Sequence, residues 1–133
     1  MNYLLDTHTL IWSILQVDKI PATVRAVLQD SQNNIAVSVV SFWEVSIKFG
    51  LGKIQLNGVT PEEFPIEAEK SKFTILTLTP SEASSGHQLP LLGKHRDPFD
   101  RILIWQAMQN NMTVVSNDAD FGLYRMMGLK LIW

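Results

Sequence analysis

The sequence predicts an α/β sandwich, with helices covering both faces of a mainly parallel central sheet. Three observations predict it. Short apolar strand-like runs alternate with helical stretches in the order βααβααβααβαβ, the alternation that builds parallel sheets through helical crossovers. Runs such as "AVSVV" (36–40) are rich in β-branched residues and almost wholly apolar, as expected of a strand buried on both faces. The chain has 133 residues, of which 46% are hydrophobic and 18% charged. That balance supports one packed domain over 1–133 and argues against disorder.

The elements follow in order. "NYLL" (2–5) is a short apolar strand. Helices are expected at 9–16 and 21–30, the second opened by a first-turn proline, Pro21. "NIAVSVV" (34–40) reads as a strand, and 41–49 as a helix stopped by Gly50 and Gly52. "TPEEF" starts a helix near residue 61, with acids in its first turn. "FTILTL" (73–78) is a strand, and "TPSEASSGHQL" holds a helix start and body. Residues 98–110 form a strong helix and "TVVS" (113–116) a strand. A short helix over 118–127 and an edge strand in "LKLIW" close the chain. No repeat, linker or low-complexity tract interrupts the pattern.

Composition excludes several functions. A formal net charge of −2 argues against coating nucleic acid by charge alone, but not against an enzyme that cuts it with a cluster of acids. With no cysteine, disulfides and thiolate zinc sites are ruled out, and a reducing compartment fits. "MNYLLDTHTLIWSILQ" lacks a basic n-region and a small-residue cleavage site, so it does not read as a signal peptide. No stretch is apolar for long enough to span a bilayer. The expectation is a soluble cytoplasmic protein without a membrane partner.

Ligands of parallel sheets bind beyond the carboxyl ends of the strands, and acids stand there. Asp6 follows the first strand, Glu44 lies one turn into the helix after the second, Asp97 and Asp100 open the helix before the fourth, and Asp118 follows the fourth. Each has a structural alternative. Asp6 suits a helix cap. Glu44 stands four residues before Lys48, a helical ion-pair spacing. Asp118 after Asn117 suits a turn. Asp97 before Pro98 is an N-cap followed by a first-turn proline, and this is taken as its main role. Asp100 is explained least, because an acid at the rim of the apolar helix "RILIWQA" is unfavourable without a partner.

One divalent cation would satisfy all four of Asp6, Glu44, Asp100 and Asp118. Hard oxygen ligands point to Mg²⁺ or Mn²⁺ rather than Zn²⁺. Such an ion lowers the pKa of a bound water and orients it for in-line attack on a phosphodiester.

The motifs "LLDTH" (4–8), "SFWEVSIKFGLGKI" (41–54), "HRDPFDRILIWQA" (95–107) and "VVSNDADF" (114–121) resemble PIN-domain proteins, most closely the toxins of VapBC-type toxin–antitoxin pairs. Each motif is weak alone. The four together, in order and across nearly the whole chain, are specific. The resemblance implies a PIN-like three-layer α/β/α sandwich and a Mg²⁺- or Mn²⁺-dependent endoribonuclease acting on RNA. It implies catalytic and metal-binding roles for Asp6, Glu44, Asp100 and Asp118, with Asp97 supporting them. It also implies a homodimer, and an antitoxin that inserts a segment into the active-site groove. Ser116 stands where threonine is commoner and keeps the hydroxyl. Asp120 is an alternate for the fourth acid, but Asp118 fits the spacing better.

Other residues carry weaker expectations. Arg96 and His95 are candidate RNA-phosphate contacts, against a solvated-loop alternative. Arg101 is expected to pair with an acid or touch substrate. Thr7 either holds a metal-bound water or caps a helix. His8 lacks a second nearby histidine for zinc. Trp12, Trp43, Trp105 and Trp133 are read as core or dimer interface rather than base-stacking platforms. Ser38, Ser41 and Ser116 form no hydrolase triad.

Two other function classes compete. A phosphohydrolase with Asp6 as nucleophile would be expected to carry a second acid two residues on, where this chain has His8. A non-catalytic PIN-fold binding module would be expected to lose acids from the quartet, yet all four are present.

Overall fold

The computed structural model describes residues 1–133. The strands are β1 (Asn2–Leu5), β2 (Asn34–Ser38), β3 (Thr74–Leu76), β4 (Thr113–Val115) and β5 (Lys130–Ile132). The α-helices are α1 (Thr7–Leu15), α2 (Ala22–Gln29), α3 (Val39–Gly50), α4 (Glu63–Lys70), α5 (Pro80–Ser85) and α6 (Pro98–Gln109). Three 3₁₀ segments, Val17–Lys19, Gly86–Gln88 and Ala119–Met127, complete the chain.

The sheet order is β3-β2-β1-β4-β5, and every neighbouring pair is parallel. The chain therefore winds outward in one direction through β2 and β3, then returns to the other side of β1 for β4 and β5. The switch of direction lies between β1 and β4, where connections on either side diverge and leave a crevice at the carboxyl ends.

Alternation along each strand makes the sandwich. Leu4, Ala36 and Val114 face a core filled from α6 by Leu103, Ile104 and Ala107. Tyr3, Leu5, Ile35, Val37 and Val115 face a second core filled by Leu10 of α1, Val24 of α2 and Phe64 of α4. Helix α3 serves both, giving Val40 to the first and Val45 to the second. Two cores on opposite faces of one sheet are the three layers that the sequence led us to expect.

Capping explains where the expected boundaries move. The strand expected over 34–40 ends at Ser38, whose hydroxyl accepts from the Val40 backbone N–H at 3.1 Å and starts α3 at Val39. A cap at that point outweighs the β preference of Val39 and Val40. Helix α1 starts at Thr7 rather than Thr9, because Asp6 accepts from the Thr9 N–H at 2.8 Å. The expected helix at 118–127 is a 3₁₀ segment capped by Asp118, ending at Gly128 with a left-handed φ of 100°. No helix is long and apolar enough to cross a membrane.

Candidate metal-dependent active site

The site is assembled at the β1/β4 switch. Leu5 pairs with Val115, so the next residues, Asp6 and Ser116, leave the sheet side by side. Ser116 donates its hydroxyl to Asp6 Oδ2 at 2.6 Å and accepts from the Asp118 backbone N–H at 3.0 Å. One serine thus fixes the first acid against the fourth. The other Asp6 oxygen caps α1. Asp6 is almost completely buried, and burial raises its pKa despite the bonds from Ser116 and Thr9.

Glu44 enters from α3 and is equally buried. Thr7 donates to its Oε1 at 2.6 Å, and Lys48 forms an ion pair with its Oε2. The Thr7 and Ser41 hydroxyls lie 3.0 Å apart behind this contact. Burial opposes the charge on Lys48. The hydrogen bond and charge of Glu44, with the charges of Asp97 and Asp100, outweigh it and raise the pKa.

Asp97 accepts from the Phe99 and Asp100 N–H groups at 2.9 and 3.1 Å, capping α6. Asp100 is different. Its one side-chain contact is His95 Nε2, 3.5 Å from Oδ2, too long for a strong hydrogen bond. Desolvation, followed by the charges of Asp97, Glu44, Asp118 and Asp6, pushes its pKa from the ordinary 3.8 to about 8. The four acids therefore share one field, centred on the carboxylate with the weakest partner. As placed, no three of them close to ion-holding distance. Asp6, Glu44 and Asp118 each turn toward a hydrogen bond of their own. The donor set still fits a hard divalent cation: four carboxylates from four elements, mutually repulsive, with neutral partners at Asp6 and none strong at Asp100. Asp118 is among the charges acting on Asp100, and Asp120 contributes its backbone N–H to Asp118.

Several expectations need correction. His95 is neither solvated nor placed at the surface for phosphate. It is 4% exposed, 3.0 Å from the Tyr124 hydroxyl through Nδ1, and packs against Phe121 and Tyr124. Arg101 pairs with no acid. It donates to the Leu89 and Pro90 carbonyls and to the Tyr124 hydroxyl at 2.6, 3.0 and 3.0 Å, because the loop before α6 needs its buried carbonyls satisfied. Thr7 caps nothing; its hydroxyl serves Glu44. Trp43 is not core: it is 62% exposed and edge-on to Phe99 at 5.4 Å. Arg96 is exposed beside the rim and donates to the Gly93 and His95 carbonyls. Sequence reasoning missed Tyr124, whose hydroxyl joins His95 and Arg101. No local pattern marks a tyrosine that works across 23 or more residues of chain.

Two clefts flank the acids. One, about 260 Å³, is lined by Asp6, His8, Trp12, Asn117 and Asp118. The other, about 280 Å³, is lined by Thr7, His8, Glu44, Lys48 and Lys53 among others. The largest cleft, about 480 Å³, includes Asn33, Ile35 and Phe73 at the amino ends of β2 and β3 and holds none of the four acids.

A parallel α/β sandwich with convergent carboxylates at its switch point defines a class of proteins built around an acidic crevice. The PIN domain pattern matches residues 3–125, and the chain belongs to that family. Solved structures with the same fold include a chain of VapBC2 from Rickettsia felis bound to a promoter DNA fragment (20% identity, 99% of this chain and 98% of that one, TM-score 0.63). DNA-bound VapBC from Salmonella typhimurium is similar at 19% identity, covering 99% and 97%, with a TM-score of 0.65. VapBC-1 from nontypeable Haemophilus influenzae is similar at 17% identity, covering 99% and 97%, with a TM-score of 0.63. No curated protein matches the chain.

Proposed function

We propose that this chain is the ribonuclease toxin of a VapBC-type toxin–antitoxin pair, hydrolysing RNA phosphodiester bonds with Mg²⁺ or Mn²⁺. The observation that carries the reading is Asp100: a largely buried carboxylate with no strong partner, its pKa raised first by desolvation and then by the charges of Asp97, Glu44, Asp118 and Asp6. Like charges gathered in a crevice destabilise the free chain, and a divalent cation reverses that effect. Asp6, Glu44, Asp100 and Asp118 would hold the ion, which when bound activates a water for in-line attack and screens the phosphate from the acids. Ser116 and Thr7 fix the first, second and fourth acids in place. Asp97 sets the start of α6 and so the position of Asp100.

The fold shared with VapBC complexes supports an antitoxin partner. The homodimer follows from the resemblance to VapC-type toxins, and the exposed indole of Trp43 is a side chain that it would cover. Sedimentation of the chain alone and with a candidate antitoxin tests both, with a mass near twice 15.0 kDa expected for the chain alone; a monomer would remove the dimer from this reading. The nuclease is tested by incubating pooled RNA with Mn²⁺ or Mg²⁺ and the native chain, Asp6→Asn, Glu44→Gln, Asp100→Asn and Asp118→Asn. We expect metal-dependent cutting that falls by about a hundredfold or more in each variant. Cutting unchanged in all four would refute it.

A further inference from the structure

The glycine–lysine end of "SFWEVSIKFGLGKI" has no part in holding the acids, yet its geometry is specific. Helix α3 stops in a Schellman turn. Gly52 adopts φ +71°, its N–H bonds the Phe49 carbonyl at 3.0 Å, and the Lys53 N–H reaches back to the Lys48 carbonyl at 2.8 Å. The two residues joined by that last bond usually make an apolar contact. Here they are both lysines, and both line the cleft of about 280 Å³ that Glu44 and Thr7 also line. Lys48 is committed to Glu44. Lys53 is exposed and has no ion pair among those the chain forms. His8, also exposed, lines both this cleft and the one holding Asp6 and Asp118, so the two clefts adjoin at one imidazole.

We infer that the cleft formed by Lys53, Lys48 and His8 binds a backbone phosphate of single-stranded RNA next to the bond being cut. This rests on the nuclease reading above and adds a path for the strand to it. The acids hold the scissile phosphate through the cation, and the strand passes His8 so that the neighbouring phosphate meets Lys53. A chain with a net charge of −2 needs such a local cationic pocket to retain a polyanion. Gly52 is what turns Lys53 back to the cleft that Glu44 lines: a side chain there would be strained at its positive φ.

The test measures binding of a fluorescein-labelled pool of single-stranded RNA to the full-length Asp100→Asn chain with Mg²⁺, at several salt concentrations, with and without Lys53→Ala or Lys53→Arg. Lys53→Ala should weaken binding about eightfold at about 50 mM salt and lower the log–log salt slope by about 0.7, the share of one phosphate contact on a single strand. Lys53→Arg should restore both. In the native background, Lys53→Ala should raise the apparent KM and leave kcat nearly unchanged. Equal affinity and slope with and without Lys53→Ala, in chains verified as folded by thermal melting, would overturn the phosphate pocket and leave the nuclease intact. Absence of RNA binding and of cleavage in every chain would overturn the pocket together with the nuclease reading. Lys53-dependent binding of duplex DNA but not of RNA would overturn the assignment to RNA.

Discussion

Asp100 is a residue whose burial works against folding and which the proposed function needs. Its carboxyl holds a proton to about pH 8 in the folded chain, against an ordinary 3.8. Between those values the metal-free native state binds more protons than the unfolded state, so stability falls as pH rises through that window. Asp100→Asn removes the titrating group and keeps the shape. We expect the metal-free variant to gain about 1–2 kcal/mol near pH ~7.5 and to show a shallower decline in stability than the native chain between about pH 5 and pH 8. Urea unfolding across pH checks this; a variant no more stable than the native chain, with the same pH slope, would mean that Asp100 does not hold its proton above the ordinary carboxylate range. Asp6 shifts in the same direction through its burial, so part of the slope should persist.

At the scale of elements, capping does two jobs. Asp6, Asp97 and Asp118 each start a helical segment, and each also stands at the acidic rim. The capping readings hold in the fold, and the functional readings proposed above are compatible with them, because strand ends and helix starts are the same place in a parallel sheet. Asp97→Ala should therefore lower stability by about 1 kcal/mol and the melting temperature by about 3–5 °C, whereas Asp97→Asn, still a good cap, should stay near native. Calorimetric melting of the two variants reads the difference, and an equal loss in both would show that charge rather than capping matters at this position.

The same scale sets what is legible in the sequence. Element order, Asp97 as a cap and the Glu44–Lys48 pair rest on spacings of a few residues, and the sequence displays those spacings. The end of β2 is harder to read because a serine cap at Ser38 outweighs two β-branched valines. His95 and Arg101 escape a local reading because their partners, Tyr124 and the Leu89 and Pro90 carbonyls, depend on how the 3₁₀ segment and the loop before α6 pack together. Polar side chains beside a candidate site look solvent-bound until the chain that covers them is known.

Across the whole molecule, the five parallel strands place the first and fourth acids after adjacent strands, β1 and β4, from which the chain winds in opposite directions. Helices α3 and α6 bring the other two acids over the same gap. Burial on both faces of the sheet holds this frame rigid, so the backbone positions that carry the four acids stay together, and the unfavourable charge on Asp100 is relieved by a proton there or by a cation. In the proposed function, a strand of nucleic acid crosses the frame along the clefts beside it. The most direct measurement of this account is cleavage of a pooled RNA by the native chain and by Asp100→Asn, purified in parallel, with and without Mn²⁺. The account predicts cutting that requires both the metal and Asp100, in a variant that is folded and more stable than the native chain without metal. Equal, metal-independent cutting by both would contradict it.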